Sequence, residues 1–249
     1  MDKLVSLTID SRKHGLNGSS NAKGLEYRKE RFFDADENVG VLLLLEPESV
    51  YTNGRRNIGK VTEKEKKAFL DAGSKYYEIK RGGEITYHGP GQLVAYPILD
   101  LKKLGLGVRD FVNALETGVS DTCHSFGIDT CTYGEFPGVW ASETRKIAAT
   151  GTHIQKYVTS HGIALNCTTD LQRFDSIVPC GLHGKTATSL YSECLIKRDK
   201  FNKDLLDPIN VSKTLLPCLS ATFNAQIVPL NSLSPSLDSF INNFINTLN

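Results

Sequence analysis

The sequence is short of several things, and each shortage excludes something. Its longest apolar run, Val39 to Leu45, is interrupted by Gly40 and falls well below the ~20 apolar residues that a membrane span needs. Charge of one sign is missing: 29 Lys and Arg face 28 Asp and Glu, a formal net charge of +1. A whole-molecule basic field for nucleic acid is therefore excluded. The six cysteines, at 123, 131, 167, 180, 194 and 218, form no CxxC pair. That spacing argues against structural zinc and a disulfide framework, and for a reducing compartment. There is no internal repeat, no GxGxxG behind a strand and no HExxH. The opening stretch, MDKLVSLTIDSRKHGLNGSSN, holds no apolar signal-peptide core and is not a persuasive transit peptide as it stands.

What remains is ordinary globular material. The 249 residues are 40% hydrophobic and 23% charged, which excludes global disorder. We read one catalytic domain over 1–249, with a polar, loop-like stretch at 10–24. Val39 to Leu45 reads as a buried strand stopped by Pro47, and 51–56 as a loop. Thr62 followed by Glu65 is a capping box that opens a helix to about Asp71. Tyr76 to Lys80 and Glu84 to Tyr87 read as strands, the chain turns at 88–91, and Gln92 to Leu101 is a strand buried on both faces. Val108, Phe111, Val112, Leu115, Val119 and Cys123 recur at helical spacing, one apolar stripe. Strands follow at 138–141, 146–155 and 158–166 in a meander, then a short turn or helix within 168–177, and helices at 211–223 and 236–248. Strands and helices are interspersed without strict alternation, which predicts an α/β (α+β) fold with a mixed β-sheet and flanking helices.

Among the thiols, Cys123 sits on the helical stripe and reads as core. Cys180 differs: in IVPCG it stands where an apolar segment surfaces into a tight turn, whose N–H groups suit a developing oxyanion. A nucleophilic cysteine needs a group that favours thiolate. The candidates are His88, His153, His161, His183, Lys146 and Lys185. Lys146 is unusual in leading into KIAATG, a strand of small residues. The densest feature is RGGEITYHGPGQ, Arg81 to Gln92, with four glycines and a proline. Such backbone suits close approach to a ligand, and it brings Arg81 and His88 with it. Two plain β-turns would account for the glycines, but not for an Arg and a His at the turns. Gly184-Lys185-Thr186 imitates the end of a phosphate loop. That motif needs glycine at 179, where this chain has Pro. Arg55-Arg56 and the lysines of 60–67 form a basic cluster that suits an acidic partner or a plain solvated face.

RGGEITYHGPGQLVAYPILDL, PGVWASETRKIAATG, SHGIALNCTTDL and IVPCG, in that order, resemble the lipoyl(octanoyl) transferases, and most of all their eukaryotic mitochondrial branch. About 37–225 carries the likeness, and 1–36 matches poorly. The resemblance implies a biotin/lipoate-protein-ligase-like fold and an acyltransferase that needs no cofactor. It implies Cys180 as the acyl-thioester nucleophile and Lys146 as the lysine that activates it. It assigns substrate binding to Arg81, Gly82, Gly83, Glu84, Ile85, Thr86, Tyr87 and His88, and to Ala149, Thr150, Gly151, Gly162, Ile163 and Ala164. The donor it implies is octanoyl-acyl carrier protein. The acceptors are lipoyl domains of 2-oxoacid dehydrogenase E2 subunits and the glycine cleavage H protein. The location it implies is mitochondrial, or cytoplasmic if the source is bacterial. Two departures stand out: Glu46-Pro47 where the family reads EH-P, and Ala148 where Cys is frequent. Two rival classes remain at this level. One is an ATP-dependent lipoate or biotin ligase of the same fold, which would not need Cys180. The other is a non-catalytic lipoyl-domain binder, which would not need Cys180 and Lys146 together.

Overall fold

The computed structural model describes residues 5–10, 38–134, 136–177, 184–197, 200–229 and Ser239. The chain makes strands β1 (Val5–Asp10), β2 (Asn38–Leu45), β3 (Val50–Asn53), β4 (Lys75–Glu78), β5 (Thr86–His88) and β6 (Gln92–Leu99). Further on come β7 (Cys131–Tyr133), β8 (Phe136–Trp140), β9 (Arg145–Gln155), β10 (Val158–Asn166), β11 (Thr186–Ala187) and β12 (Gln226–Pro229). The helices are α1 (Glu63–Asp71), α2 (Leu101–Leu104), α3 (Val108–Ser125), α4 (Leu190–Lys197) and α5 (Pro208–Phe223). The large sheet runs β12-β1-β2-β6-β10-β9-β8-β7, with β11 parallel beside β9. A second sheet has the order β4-β3-β5.

The apolar stripe of α3 explains the large sheet's main support. Phe111, Leu115, Val119 and Cys123 are fully buried. They meet Val211, Leu215, Leu219 and Phe223 of α5 in one core, with the Phe111 and Phe223 rings stacked at 5.9 Å. Each such side chain contributes about 1.5–3 kcal/mol by leaving water. Val108, the first residue of the stripe, is exposed. Burial raises the thiol pKa of Cys123 to about 12 and that of Cys167 well above the usual range, so both are inert apolar packing.

The small sheet has its own core of Tyr51, Phe69, Ile85, Tyr87 and Phe174. The capping box is present: Thr62 accepts from the Glu65 N–H, and Glu65 accepts from the Thr62 N–H at 2.7 Å. It sets α1 so that Phe69 stacks on Tyr51, centroids 4.1 Å apart. This stacking corrects the loop expected at 51–56. Tyr51, Thr52 and Asn53 are strand, all three paired with β4 and the first two also with β5, and only 54–56 turn. The strand expected at 84–87 begins at Thr86. Strand β1 covers part of the polar start, and β12 pairs with it. The remainder of the loop-like stretch, 11–24, lies outside the described residues. So does the helix expected at 236–248, apart from Ser239.

The two sheets are joined through the 88–91 turn. Gly91, at φ +79°, takes a backbone that favours glycine, and a Cβ there would stand 2.7 Å from the Thr168 carbonyl carbon. Its carbonyl receives the N–H groups of Cys167 and Thr168, and its own N–H donates to Glu46 Oε1 at 2.6 Å. The Glu46-Pro47 departure from the family pattern thus keeps a polar tie at this turn, made by the glutamate.

Candidate active site

A cleft, partly open to solvent, lies where the two sheets meet. Its walls come from Thr86 on β5, Gln92 on β6, Asn166 on β10 and Lys146 with Ala149 on β9. Trp140, Phe174, Lys185 and the two residues of β11 also line it.

Lys146 and Ala149 share the cleft although three positions apart, which a regular strand would place on opposite faces. The pairing between β8 and β9 explains it. Val139 opposes Ala148, but Trp140 opposes Lys146, so β9 carries one extra residue at Ile147. This bulge re-aims Lys146 into the cleft. The Lys146 ammonium donates to the Pro137 carbonyl at 3.1 Å and stands 4.7 Å from the Trp140 ring centroid. Lys185 lies 5.6 Å from the same ring and donates to the Glu143 carbonyl. Two cations thus share one indole face region at the cleft.

The opposite wall is neutral and buried. The Gln92 amide donates to Asn166 Oδ1 at 2.8 Å and to the Tyr87 carbonyl at 3.3 Å. Asn166 in turn donates to the Thr188 carbonyl at 2.9 Å. With the Gln92 donors spent, its Oε1 accepts from His88 Nδ1 at 2.8 Å. That assigns the proton of neutral His88 to Nδ1. Burial, and then the Arg81 and His161 charges, push the His88 pKa down to about 4.

The other expected residues divide between the cleft and its supports. Along β9 and β10, Ala149 opposes Ala164 and Gly151 opposes Gly162; Ala149 lines the cleft, while Arg81 and Gly82 pack over Gly151 and the Ala95 carbonyl over Gly162. The side chains of Thr150 and Ile163 take the other face, where Ile163 joins the large core. Arg81 is buried, and its guanidinium donates to the Thr52 carbonyl at 2.6 Å and to the Gly82 carbonyl at 2.9 Å. Gly82 N–H reaches Thr152 O at 3.0 Å, which docks the Gly-rich loop on β9 beside Gly151. The carbonyls of Gly83 and Glu84 receive Arg56 and Gly54 N–H groups. Ile85 and Tyr87 turn into the small core, while Thr86 between them faces the cleft. His161 adopts φ +58° within a strand, sets its ring edge-on to Tyr96 at 5.9 Å, and has its pKa lowered by burial and by Arg81 and His153. Cys180 and His183 lie outside the described residues.

Trp140, Phe174, Gln92 and Asn166 were not singled out from the sequence as site residues. Asn166 carried a signal, a buried polar residue closing the apolar strand SHGIALN. Trp140 carried none, because the bulge that brings it against Lys146 has no signature in the residue types.

The described fold is that of a lipoate-protein ligase catalytic domain. An archaeal bipartite lipoate protein ligase from Thermoplasma acidophilum superposes with a TM-score of 0.54 at 16% identity, over 73% of this chain and 70% of that one. Lipoate-protein ligase A bound with ATP superposes at 0.53 and 14% identity, over 70% and 69%. The lipoyl protein ligase A/B catalytic domain matches residues 25–209, and the chain belongs to that family, in its octanoyltransferase branch of acyltransferases. A Danio rerio mitochondrial octanoyl-acyl-carrier-protein:protein N-octanoyltransferase, LIPT2, is 41% identical over 206 residues, 82% of this chain and 87% of the relative. An Acidobacterium capsulatum octanoyltransferase is 43% identical, over 70% and 76%. A Schizosaccharomyces pombe relative named probable octanoyltransferase is 49% identical over 56% of this chain, and the match spans 62% of its length.

Proposed function

We propose that the chain moves an octanoyl group from acyl carrier protein, through a thioester on Cys180, to a lysine of a lipoyl domain. The observation that carries this is the cleft itself. A re-aimed lysine stands at one end of a floor to which β9 contributes the small Ala149. Both described flanks of the IVPCG segment, Phe174 before it and Thr186–Ala187 after it, line the same cleft. An extended acyl chain fits beside Ala149, since a larger side chain there would occupy its space.

In the first step the Cys180 thiolate attacks the thioester carbonyl. The carbonyl–sulfur bond to the carrier's thiol breaks, and that thiolate leaves and takes a proton. In the second step an acceptor lysine amine attacks the Cys180 thioester. An amide forms, the Cys180 sulfur leaves as thiolate, and the proton lost by the amine returns to Lys146. Thioester exchange is nearly balanced and amide formation is downhill, so no nucleotide is consumed. Lys146 favours the thiolate by its charge and delivers the proton to the leaving thiol. His88, neutral at working pH, orients the carbonyl or a water. The whole chain works as one catalytic domain, and the mitochondrial names of the animal relatives support a mitochondrial setting. Acceptors are the lipoyl domains of 2-oxoacid dehydrogenase E2 subunits and the H protein. No helix among the described residues is long and apolar enough to cross a membrane.

Intact-mass spectrometry after incubation with octanoyl carrier protein tests this directly. One octanoyl mass, mapped to Cys180 and absent from the Cys180→Ser chain, is the expected result. A stable thioester on another residue would overturn the assignment. ATP-dependent pyrophosphate exchange with octanoate or lipoate would return the ligase reading.

A further inference from the structure

One buried carboxylate has no part in the steps above. Glu116 lies on the inner face of α3, 6% exposed, one residue past Leu115 in the apolar stripe. Burial raises its pKa, against the lowering effects of the Gly138 N–H, Thr150 and the Lys146 charge. Carboxylates are not buried cheaply, and those that are hold something in place.

What Glu116 holds is specific. Its Oε1 accepts the Gly138 N–H at 2.7 Å. Gly138 falls outside both registers of β8, since Val139 and Trp140 pair with β9 while Phe136, Val139 and Trp140 pair with β7. Glu116 therefore supplies an acceptor to an N–H beside the bulge. The same peptide unit has the Pro137 carbonyl at its other end, and that carbonyl receives the Lys146 ammonium at 3.1 Å. One peptide plane is thus clamped between a carboxylate beneath the sheet and an ammonium above it. Its dipole is aligned to both charges, so each hydrogen bond strengthens the other. Gly138 makes the approach possible. At φ +129°, its backbone passes under the lysine stem, and a Cβ there would stand 3.3 Å from Lys146 Cδ and 2.6 Å from the Ala148 carbonyl oxygen. The Thr150 hydroxyl approaches the carboxyl from β9 without closing a hydrogen bond of standard geometry. Among the described residues, Lys185 stands across the Trp140 ring from Lys146, and the neighbouring Arg145 is held by Glu193 at 2.8 Å.

We propose that Glu116 is the positioning residue for Lys146: by fixing the Pro137–Gly138 peptide it fixes the carbonyl on which the ammonium rests, and so the direction from which Lys146 meets the reacting sulfur. This rests on the reading of Lys146 as the partner of Cys180.

A double-mutant cycle separates positioning from plain support. Glu116→Leu lowers kcat for octanoyl transfer about 10-fold or more, with KM for the octanoyl donor within about twofold. Glu116→Gln keeps an acceptor oxygen for Gly138 and stays within about threefold of the parent. In a Lys146→Met background, Glu116→Leu has no further effect. An equal loss in both backgrounds, or a loss confined to KM, overturns the proposal, because a weakened fold would cost the same with or without the lysine. Should Glu116→Leu not fold, Glu116→Asp carries the same cycle, since it withdraws the carboxylate by one methylene. If Lys146→Met alone leaves transfer intact, the reading of Lys146 fails, and the clamp with it. If Lys146→Met abolishes transfer while Glu116→Leu changes nothing, the clamp alone fails.

Discussion

The two walls of the cleft are built on opposite principles. The wall of β8, β9 and β11 carries two lysines on one indole, each held by a backbone carbonyl. The wall of β5, β6 and β10 carries two side-chain amides and a histidine, all buried and joined in one chain of hydrogen bonds ending on Thr188 O. The lysine wall is partly solvated and charged, so it can move protons and meet anions. The amide wall is dry and uncharged, so it can hold a substrate in one orientation but not titrate near neutrality. The titratable lysines thus stand on one wall and the neutral hydrogen-bonded side chains on the other.

The most severe break of that contrast is on the lysine wall. Lys146→Met keeps the stem and removes the charge, and octanoyl transfer should fall by about 10²–10⁴-fold, as for loss of a general acid–base group. Alkylation of Cys180 by iodoacetamide should slow at pH 7 and recover toward pH 9. Unchanged alkylation–pH curves would detach the lysine from the thiol and return His88 or His161 as the partner to examine. Arg in place of Lys146 should preserve alkylation better than transfer, since Arg holds charge but does not release its proton.

Next in size is the amide wall under acid. The His88 pKa is pushed from the usual 6.5 to about 4 in the folded chain. Between those values the unfolded state binds a proton that the native state refuses. Stability is therefore full above pH 6.5, falls as pH drops toward 4, and levels below it, by about 3 kcal/mol in all. Urea midpoints at pH 7 and 5 should show this slope, and His88→Gln should flatten it. An unaltered slope in that variant would locate the titration elsewhere. Asn166→Ala, which leaves Gln92 and the Thr188 carbonyl without their buried partner, should cost about 1–3 kcal/mol at neutral pH, read by denaturant midpoint. Its effect on transfer should be smaller than that of Lys146→Met.

A finer probe concerns the floor between the walls. Ala149→Leu adds bulk opposite Ala164, and should lower transfer of octanoyl several-fold while sparing shorter acyl chains. Equal losses for every chain length would remove the floor from the acyl site. The smallest effect expected is at the rim. Arg55 and Arg56 are exposed, and their N–H groups bond the carbonyls of Arg81 and Gly83, which ties this basic turn to the Gly-rich loop. Charge reversal at both should raise KM for the acidic carrier protein several-fold at low salt, with kcat unchanged.

The sequence revealed its elements where a local signal was strong. The 3–4-residue stripe gave α3, the Thr62–Glu65 pair gave the start of α1, and alternation with turn residues gave the β8–β9–β10 meander. It misread Tyr51 to Asn53, because a strand flanked by Pro and Gly looks like a loop until Phe69 is seen stacked on Tyr51. It marked Lys146, Ala149 and the Gly-rich loop as one functional set through the family likeness. The local pattern alone left the lysine as one of six candidate partners for the thiol, unusual for the small residues that follow it.

What the residues alone determined is the inventory: a mixed α/β chain, a thiol in IVPCG, a lysine before small residues, a glycine-rich loop and no dominant charge. These follow from composition and spacing, which act over a few residues. What only the tertiary structure decided is who meets whom. The extra residue at Ile147 turns Lys146 toward the cleft, and the packing of α3 under the sheet brings Glu116 to the Gly138 N–H. Gln92, His88 and Asn166 join because β6 and β10 are neighbours. The Gln92–Asn166 contact joins strands distant in sequence, the Glu116–Gly138 contact joins a helix to a strand, and the strand registers are set by the burial of whole faces, which no local pattern encodes.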